Sequence, residues 1–244
     1  MIPKKIHYVW IGGAKGNLEN ICINIWKEKL PGYEIIEWNE KNFDIEKEIK
    51  GKKFLEECYR QKLWAFIADY IRLKVLYEQG GLYMDTDIQV LKDLTPLMEE
   101  NKLFFGYESE EYVNGAIIGA EPHHPFIKDM LDFYNEDVMK SDLYTIPKIM
   151  TYMLNEKYEK IDRNNFSSDI KVYDEEYFYP FGFKDEYTDD CITENTYVIH
   201  WWGKSWAKKR NYFLETKHMS GFKKIYKCMR IFASNTLLSM KGRK

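Results

Sequence analysis

The chain has 244 residues, 45% of them apolar and 16% aromatic, with a formal net charge of −3. That length fits one domain with a small elaboration, and the apolar content excludes disorder as the default state. Four separated cysteines (Cys22, Cys58, Cys191, Cys228) without a C-x-x-C pair exclude zinc-ribbon and dithiol classes, and no apolar run approaches the ~20 residues of a spanning helix. With no signal peptide ahead of Ile2-Pro3-Lys4, the cysteines read as reduced thiols of a cytoplasmic protein.

Residues 5–11 form a predicted buried strand of β-branched and aromatic side chains. Residues 18–30 have helical spacing (Ile21, Ile25, Trp26, Leu30) that stops at Pro31-Gly32, and residues 33–38 are a second strand. This strand–helix–strand opening predicts a parallel α/β unit with its ligand at the C-terminal strand ends. Trp10 lies at that edge, either as a ligand contact or as a core tryptophan.

Residues 63–77 are a strongly apolar helical segment in which Asp69 and Arg72, three apart, share a face. They read as an intrahelical salt bridge or as a preorganised pair that hydrogen-bonds sugar hydroxyls. Gly80-Gly81 is the left-handed stop. A short buried strand at 82–84 follows, with Asp85 and Asp87 at its C-terminal edge. Carboxylates two apart in extended chain point the same way, so one hard cation can sit between them. Such a cation keeps open positions, which a diphosphate fills. An isolated Asp-x-Asp is ordinarily a solvated turn; the buried pair upstream is what changes its weight.

Further strands are expected at 88–91, 103–108 and 114–120, and helices at 125–139 and 146–158. Asn114 opens a small-residue run and reads equally as a turn residue or as an amide for a donor. His123-His124-Pro125 reads as a surface helix entry. Residues 160–195, with Tyr177-Phe178-Tyr179-Pro180 and acidic residues over 185–190, are expected to be loop-rich and acceptor-facing. His200 follows a short strand and reads as structural or as a metal or phosphate contact. Lys204, Ser205 and Trp206 offer an ammonium, a hydroxyl and an indole N–H to a diphosphate.

Residues 207–244 hold eleven Lys or Arg and one acid, Glu215, so a basic tail of +10 follows a body of −13. In it Phe222, Ile225, Tyr226, Met229, Phe232, Ala233 and Leu237 fall on one helix face, with Lys223, Lys224, Lys227 and Arg230 opposite or flanking. This fits a helix lying on an anionic membrane or one docked on the domain with a solvated basic face. No nucleic-acid motif accompanies the charge.

Asp69, Arg72, Tyr83, Asp85 and Asp87 resemble, in type and spacing, the donor and metal constellation of family 32 glycosyltransferases. That family includes capsular-polysaccharide and mannosyltransferase types, and the glucosyltransferase domain of large clostridial toxins is related to it. Residues 6–13 (Ile-His-Tyr-Val-Trp-Ile-Gly-Gly) are similar to its opening strand, and residues 200–206 (His-Trp-Trp-Gly-Lys-Ser-Trp) to its closing motif. The resemblance implies an α/β, GT-A-type Rossmann-like mixed sheet flanked by helices, as a catalytic domain over 1–218 with an amphipathic tail over 219–244. It implies Trp10 stacking on a nucleotide base, Tyr83 and Asn114 at the donor, and Mn²⁺ or Mg²⁺ on Asp85 and Asp87 with His200 as a further ligand. The expected reaction is retaining transfer of a hexose, UDP-linked, to a glycan or lipid-linked oligosaccharide in capsular or surface polysaccharide synthesis, at the inner face of the cell membrane. Alternatives are a toxin-like transferase acting on a protein, and a non-catalytic sugar-nucleotide-binding protein.

Overall fold

The computed structural model describes residues 1–167, 169–203 and 210–241. Strand β1 (Lys5–Val9), helix α1 (Asn17–Lys29) and strand β2 (Glu34–Trp38) form the expected parallel unit, paired from Lys5↔Glu34 to Val9↔Trp38. Helices α2 (Ile45–Ile49) and α3 (Lys53–Arg60) lead into α4 (Trp64–Gln79). The chain continues as β3 (Gly81–Met84), β4 (Ile88–Val90), α5 (Thr95–Glu100), β5 (Leu103–Tyr107) and β6 (Val113–Ala120). After these come α6 (Pro125–Asp132), α7 (Ile146–Lys157), β7 (Asn165–Phe166), β8 (Ile170–Tyr173) and α8 (Glu175–Phe178). Strand β9 (Val198–His200) and helices α9 (Tyr212–Thr216) and α10 (Gly221–Lys241) complete it.

Seven strands make one mixed sheet in the order β2-β1-β3-β6-β5-β8-β7. β6 runs antiparallel between β3 and β5, so β1, β3 and β5 all point one way. Their C-terminal ends, and the N-terminal end of β6, therefore share one edge. Alternation along the strands divides the core into two layers. Leu82, Met84 and Phe104 face α1 and its Trp26, whereas Tyr83 and Phe105 face α4, α6 and α7. Burying such side chains contributes about 1.5–3 kcal/mol each.

Gly80 stops α4 at φ +62°, and a Cβ there would meet the Pro122 backbone nitrogen at 2.7 Å, so only glycine fits. Its carbonyl faces Nε2 of the fully buried His7 at 2.9 Å, and Trp38 Nε1 donates to His7 Nδ1 at 3.1 Å. These partners fix the neutral tautomer with Nε2 as donor. Burial pulls the His7 pKa down to about 4 against the opposing pull of Gly80.

Residues 160–195 are loop-rich as expected, but they also carry β7 and β8 at one edge of the sheet, with Phe178 and Tyr179 buried. Two expectations are corrected. The helix expected over 125–139 widens after Asp132 into a π turn, Phe133–Asp137. Asp85 and Asp87 do not lie on extended chain: β3 ends at Met84, and they occupy a turn in which Ile88 N–H donates to Asp85 O at 3.0 Å.

Helix α10 docks through Ile231, which is fully buried, and through Asn235, whose side chain holds both the N–H and the carbonyl of Arg210. Lys227 and Arg210 both pair with Glu215. On the opposite side Phe222, Ile225, Tyr226, Met229 and Phe232 are exposed. The Leu237 side chain lies outside the described residues. Among the described residues no helix is long and apolar enough to cross a membrane.

Candidate active site

The shared sheet edge gathers the residues singled out by the sequence. Trp10 follows β1, Asp85 follows β3, Glu108 follows β5 and Asn114 is the second residue of β6. Trp10 is half-buried rather than core; its Nε1 donates to Gly13 O at 2.7 Å and Lys15 Nζ lies 5.8 Å from its ring centre. One face of the indole is thus already paired with a cation.

Asp69 and Arg72 sit on α4 beneath that edge, both buried, with Arg72 Nη2 2.9 Å from Asp69 Oδ1 and 3.1 Å from Asp85 Oδ1. Arg72 Nη1 also donates to Gly115 O, and its guanidinium stacks 4.3 Å from the Tyr83 ring centre. Tyr83 in turn donates its hydroxyl to Asp85 Oδ1 at 2.9 Å. The pair is therefore both the intrahelical bridge and the support of Asp85. Burial opposes the Arg72 charge, but Asp85 and Asp69 outweigh it and hold the guanidinium protonated. One cation cannot fully compensate the buried Asp69 and the half-buried Asp85. Burial pushes Asp69 up to about 7 despite Arg72, and Asp85 is also raised by burial.

The turn after Asp85 feeds β4, which leaves the main sheet and pairs with β9 in a ribbon of its own, Ile88 opposite His200. His200 Nε2 then lies 3.3 Å from Asp87 Oδ2. Trp201 N–H donates to Asp87 O at 3.0 Å, and Gly203 N–H to Asp87 Oδ2 at 2.5 Å. Although burial works to raise Asp87, His200 and the Gly203 N–H outweigh it and its pKa is lowered. Among the described residues, Asp85, Asp87 and His200 form a group whose ligand atoms all lie within 4.8 Å of one another. Two carboxylates and an imidazole suit a divalent cation such as Mn²⁺, and the buried His200 Nδ1 has no hydrogen-bond partner. The residues fit the ion expected there. Lys204, Ser205 and Trp206 lie outside the described residues.

Asn114 is not a free amide. It donates to Glu108 Oε2 at 2.6 Å and accepts from Ala116 N–H at 2.7 Å, while Ala116 O accepts from Asp85 N–H at 2.8 Å. Glu108 was not singled out by the sequence. Burial raises its pKa against the Asn114 hydrogen bond and the nearby His200. A carboxylate directly after a five-residue apolar strand, at the ligand edge of an α/β sheet, was the available signal. Tyr179 and Gly203 lie in segments the sequence singled out, but without a role of their own.

The chain is similar in sequence to known glycosyltransferases. A sequence model described as a glycosyltransferase sugar-binding region containing a DXD motif matches residues 16–104, and one for an alpha 1,4-glycosyltransferase conserved region matches residues 119–235. An uncharacterized glycosyltransferase of Acanthamoeba polyphaga mimivirus is 26% identical over 231 residues, 90% of each chain. A human alpha-1,4-N-acetylglucosaminyltransferase is 28% identical over 158 residues, 58% of this chain and 44% of that protein. Among solved structures, a galactosyltransferase determined with donor and acceptor sugar analogues superposes with a TM-score of 0.45 at 15% identity, covering 85% of this chain and 90% of that one. The chain spans most of the mimivirus protein but less than half of the human enzyme. It is a glycosyltransferase.

Proposed function

We propose that the chain moves a hexose from a nucleotide-sugar donor, UDP-linked in the first instance, to a hydroxyl of a glycan acceptor with retention of configuration. The observation that carries this reading is the convergence of Asp85, Asp87 and His200 at the strand edge that also presents Trp10. A divalent cation held by those three side chains would supply Lewis-acid neutralisation of the diphosphate leaving group. Arg72 and Tyr83 fix one oxygen of Asp85, so the carboxylate needs little reorganisation when donor binds. Asp69, next to Arg72, is the candidate acceptor for donor-sugar hydroxyls, and Trp10 the stacking surface for the base. As the donor C1–O bond breaks, the acceptor oxygen bonds to C1 on the same face, and its proton passes to the departing diphosphate.

We place the acceptor in capsular or surface glycan synthesis, as a glycan or lipid-linked oligosaccharide at the cytoplasmic face of the membrane. Support comes from α10, whose apolar stripe faces away from its docked side and is flanked by Lys223 and Arg230. The deciding experiment is a panel of UDP- and GDP-hexoses scored for release of free nucleotide with and without Mn²⁺. Mn²⁺-dependent release from one donor is expected. No release from any donor, or release indifferent to EDTA, would overturn the reading.

A further inference from the structure

Beside the triad lies a group of aromatic side chains that the proposed chemistry leaves unused. Trp202 is held with φ +53°, a left-handed backbone that a bulky residue rarely adopts. Its ring centre is 4.2 Å from that of His200 and 5.9 Å from that of the buried Tyr179, and its Nε1 donates to Phe181 O at 2.9 Å. The strained backbone, the indole hydrogen bond and the two ring contacts fix the indole plane. Phe183 meets it edge to face, with ring centres 6.0 Å apart and planes at 83°, and is 44% exposed. The two rings meet at a near right angle beside His200.

Glu108 reaches the same aromatic group from another element, by way of Asn114 and Tyr179. It lies near enough to influence both His200 and Tyr179, and the Tyr179 hydroxyl is 3.5 Å from the carbonyl of Asn114, whose amide holds Glu108. Only one oxygen of Glu108 is taken up by Asn114, and the residue is half-buried. An aromatic corner with a fixed carboxylate nearby is the chemistry that binds a pyranose: the ring's C–H face packs on the indole, and a hydroxyl donates to the carboxylate. The Glu108 carboxylate disfavours an anionic occupant.

Resting on the transferase reading above, we propose that Trp202, Phe183 and Glu108 form the acceptor subsite, and that it takes a neutral pyranose. A sugar there is adjacent to the cation-binding triad, where its hydroxyl must meet the donor's anomeric carbon.

The test uses the full chain with Mn²⁺, the donor that hydrolysis ranks first, and methyl glucoside, methyl galactoside and methyl mannoside as acceptor probes. Transfer to the probe and transfer to water are measured together. Phe183→Ala and Glu108→Gln each lower the transfer-to-hydrolysis ratio about tenfold by raising the probe KM, and Phe183→Tyr restores it. Melting temperature monitors folding, and Phe183, being half-exposed, is a mild change. Ratios equal to that of the unaltered chain would overturn the subsite, as would equal loss of both reactions. Absence of hydrolysis in the unaltered chain would instead overturn the transferase reading.

Discussion

Gly203 donates its backbone N–H to the Asp87 carboxylate, joining two residues 116 positions apart in sequence. Together with the Trp201 N–H on the Asp87 carbonyl, it holds the second aspartate of the pair from both its main chain and its side chain. Asp87 is thus kept ionised and aimed at the site.

Asp87→Ala removes that charge and leaves the sheet untouched, because Asp87 lies outside both layers of the core. Turnover is expected to fall by several kcal/mol of lost leaving-group stabilisation, on the order of a thousandfold, with little change in melting temperature. Donor hydrolysis at saturating donor measures it; retained turnover would remove Asp87 from the cation site.

Arg72 and Asp69 respond differently because one cation serves two carboxylates. Arg72→Met leaves Asp69 buried without compensation and Asp85 without its cation, and is expected to cost about 3–5 kcal/mol in urea unfolding. Asp69→Asn leaves a balanced Arg72–Asp85 pair and is expected to cost less than about 1 kcal/mol. It should nevertheless lower turnover far more than it weakens binding of the nucleoside diphosphate. Equal unfolding costs for the two variants would refute the asymmetry.

The same burial sets the pH dependence of the metal-free protein. His7 has a folded pKa of about 4 against an ordinary 6.5, so the unfolded chain takes up more protons between those values and stability falls as pH drops below 6.5. Asp69 is raised to about 7 from 3.8, so the folded chain holds the extra proton and stability falls as pH rises toward 7. The two windows overlap with opposite slopes, so in EDTA melting temperature should stay nearly level between about pH 4 and 6.5 and fall as pH rises toward 7. His7→Gln should uncover a fall with rising pH across that window, and Asp69→Asn a rise. Profiles unmoved by these substitutions would assign the dependence to other groups.

Trp10→Ala is expected to weaken nucleoside diphosphate binding by about 1–3 kcal/mol, the range for a lost base–aromatic stack. Calorimetric titration with UDP and Mn²⁺ reads this directly. An unchanged Kd would return Trp10 to a purely structural role with Gly13 and Lys15.

For α10, deletion is a poor test, since Ile231 and Asn235 fasten the helix to the domain. Replacing Phe222, Ile225, Met229 and Phe232 with Ser changes only its outward side. Binding to vesicles of anionic lipid should be lost while melting temperature holds. For the unaltered chain, added salt should weaken binding, each basic residue near the surface contributing about 1 kcal/mol. Failure of the unaltered chain to bind such vesicles at low salt would exclude the membrane contact.

What the sequence disclosed followed from local periodicity. The strand–helix–strand opening, the glycine stop at Gly80 and the Asp69–Arg72 face each repeat or terminate within a few residues, and each is found where expected. The strands β7 and β8 span two and four residues, too few for alternation to register among the polar residues around them. The turn at Asp85 and Asp87 was hidden for another reason. Its geometry is imposed by β4 pairing with β9, a contact with no local signature. Glu108 and Trp202 acquire their meaning only from what the fold brings beside them.

That ribbon also sets the order in which competence is acquired during synthesis. A chain emerging from the ribosome has made both aspartates and most of the sheet well before Val198–His200 exists to clasp Asp87. Closing so long a loop is entropically costly and comes late. A partly made polypeptide therefore presents Asp85 and Asp87 without His200 beside them, and the three-residue cluster is among the last features of the fold to be assembled.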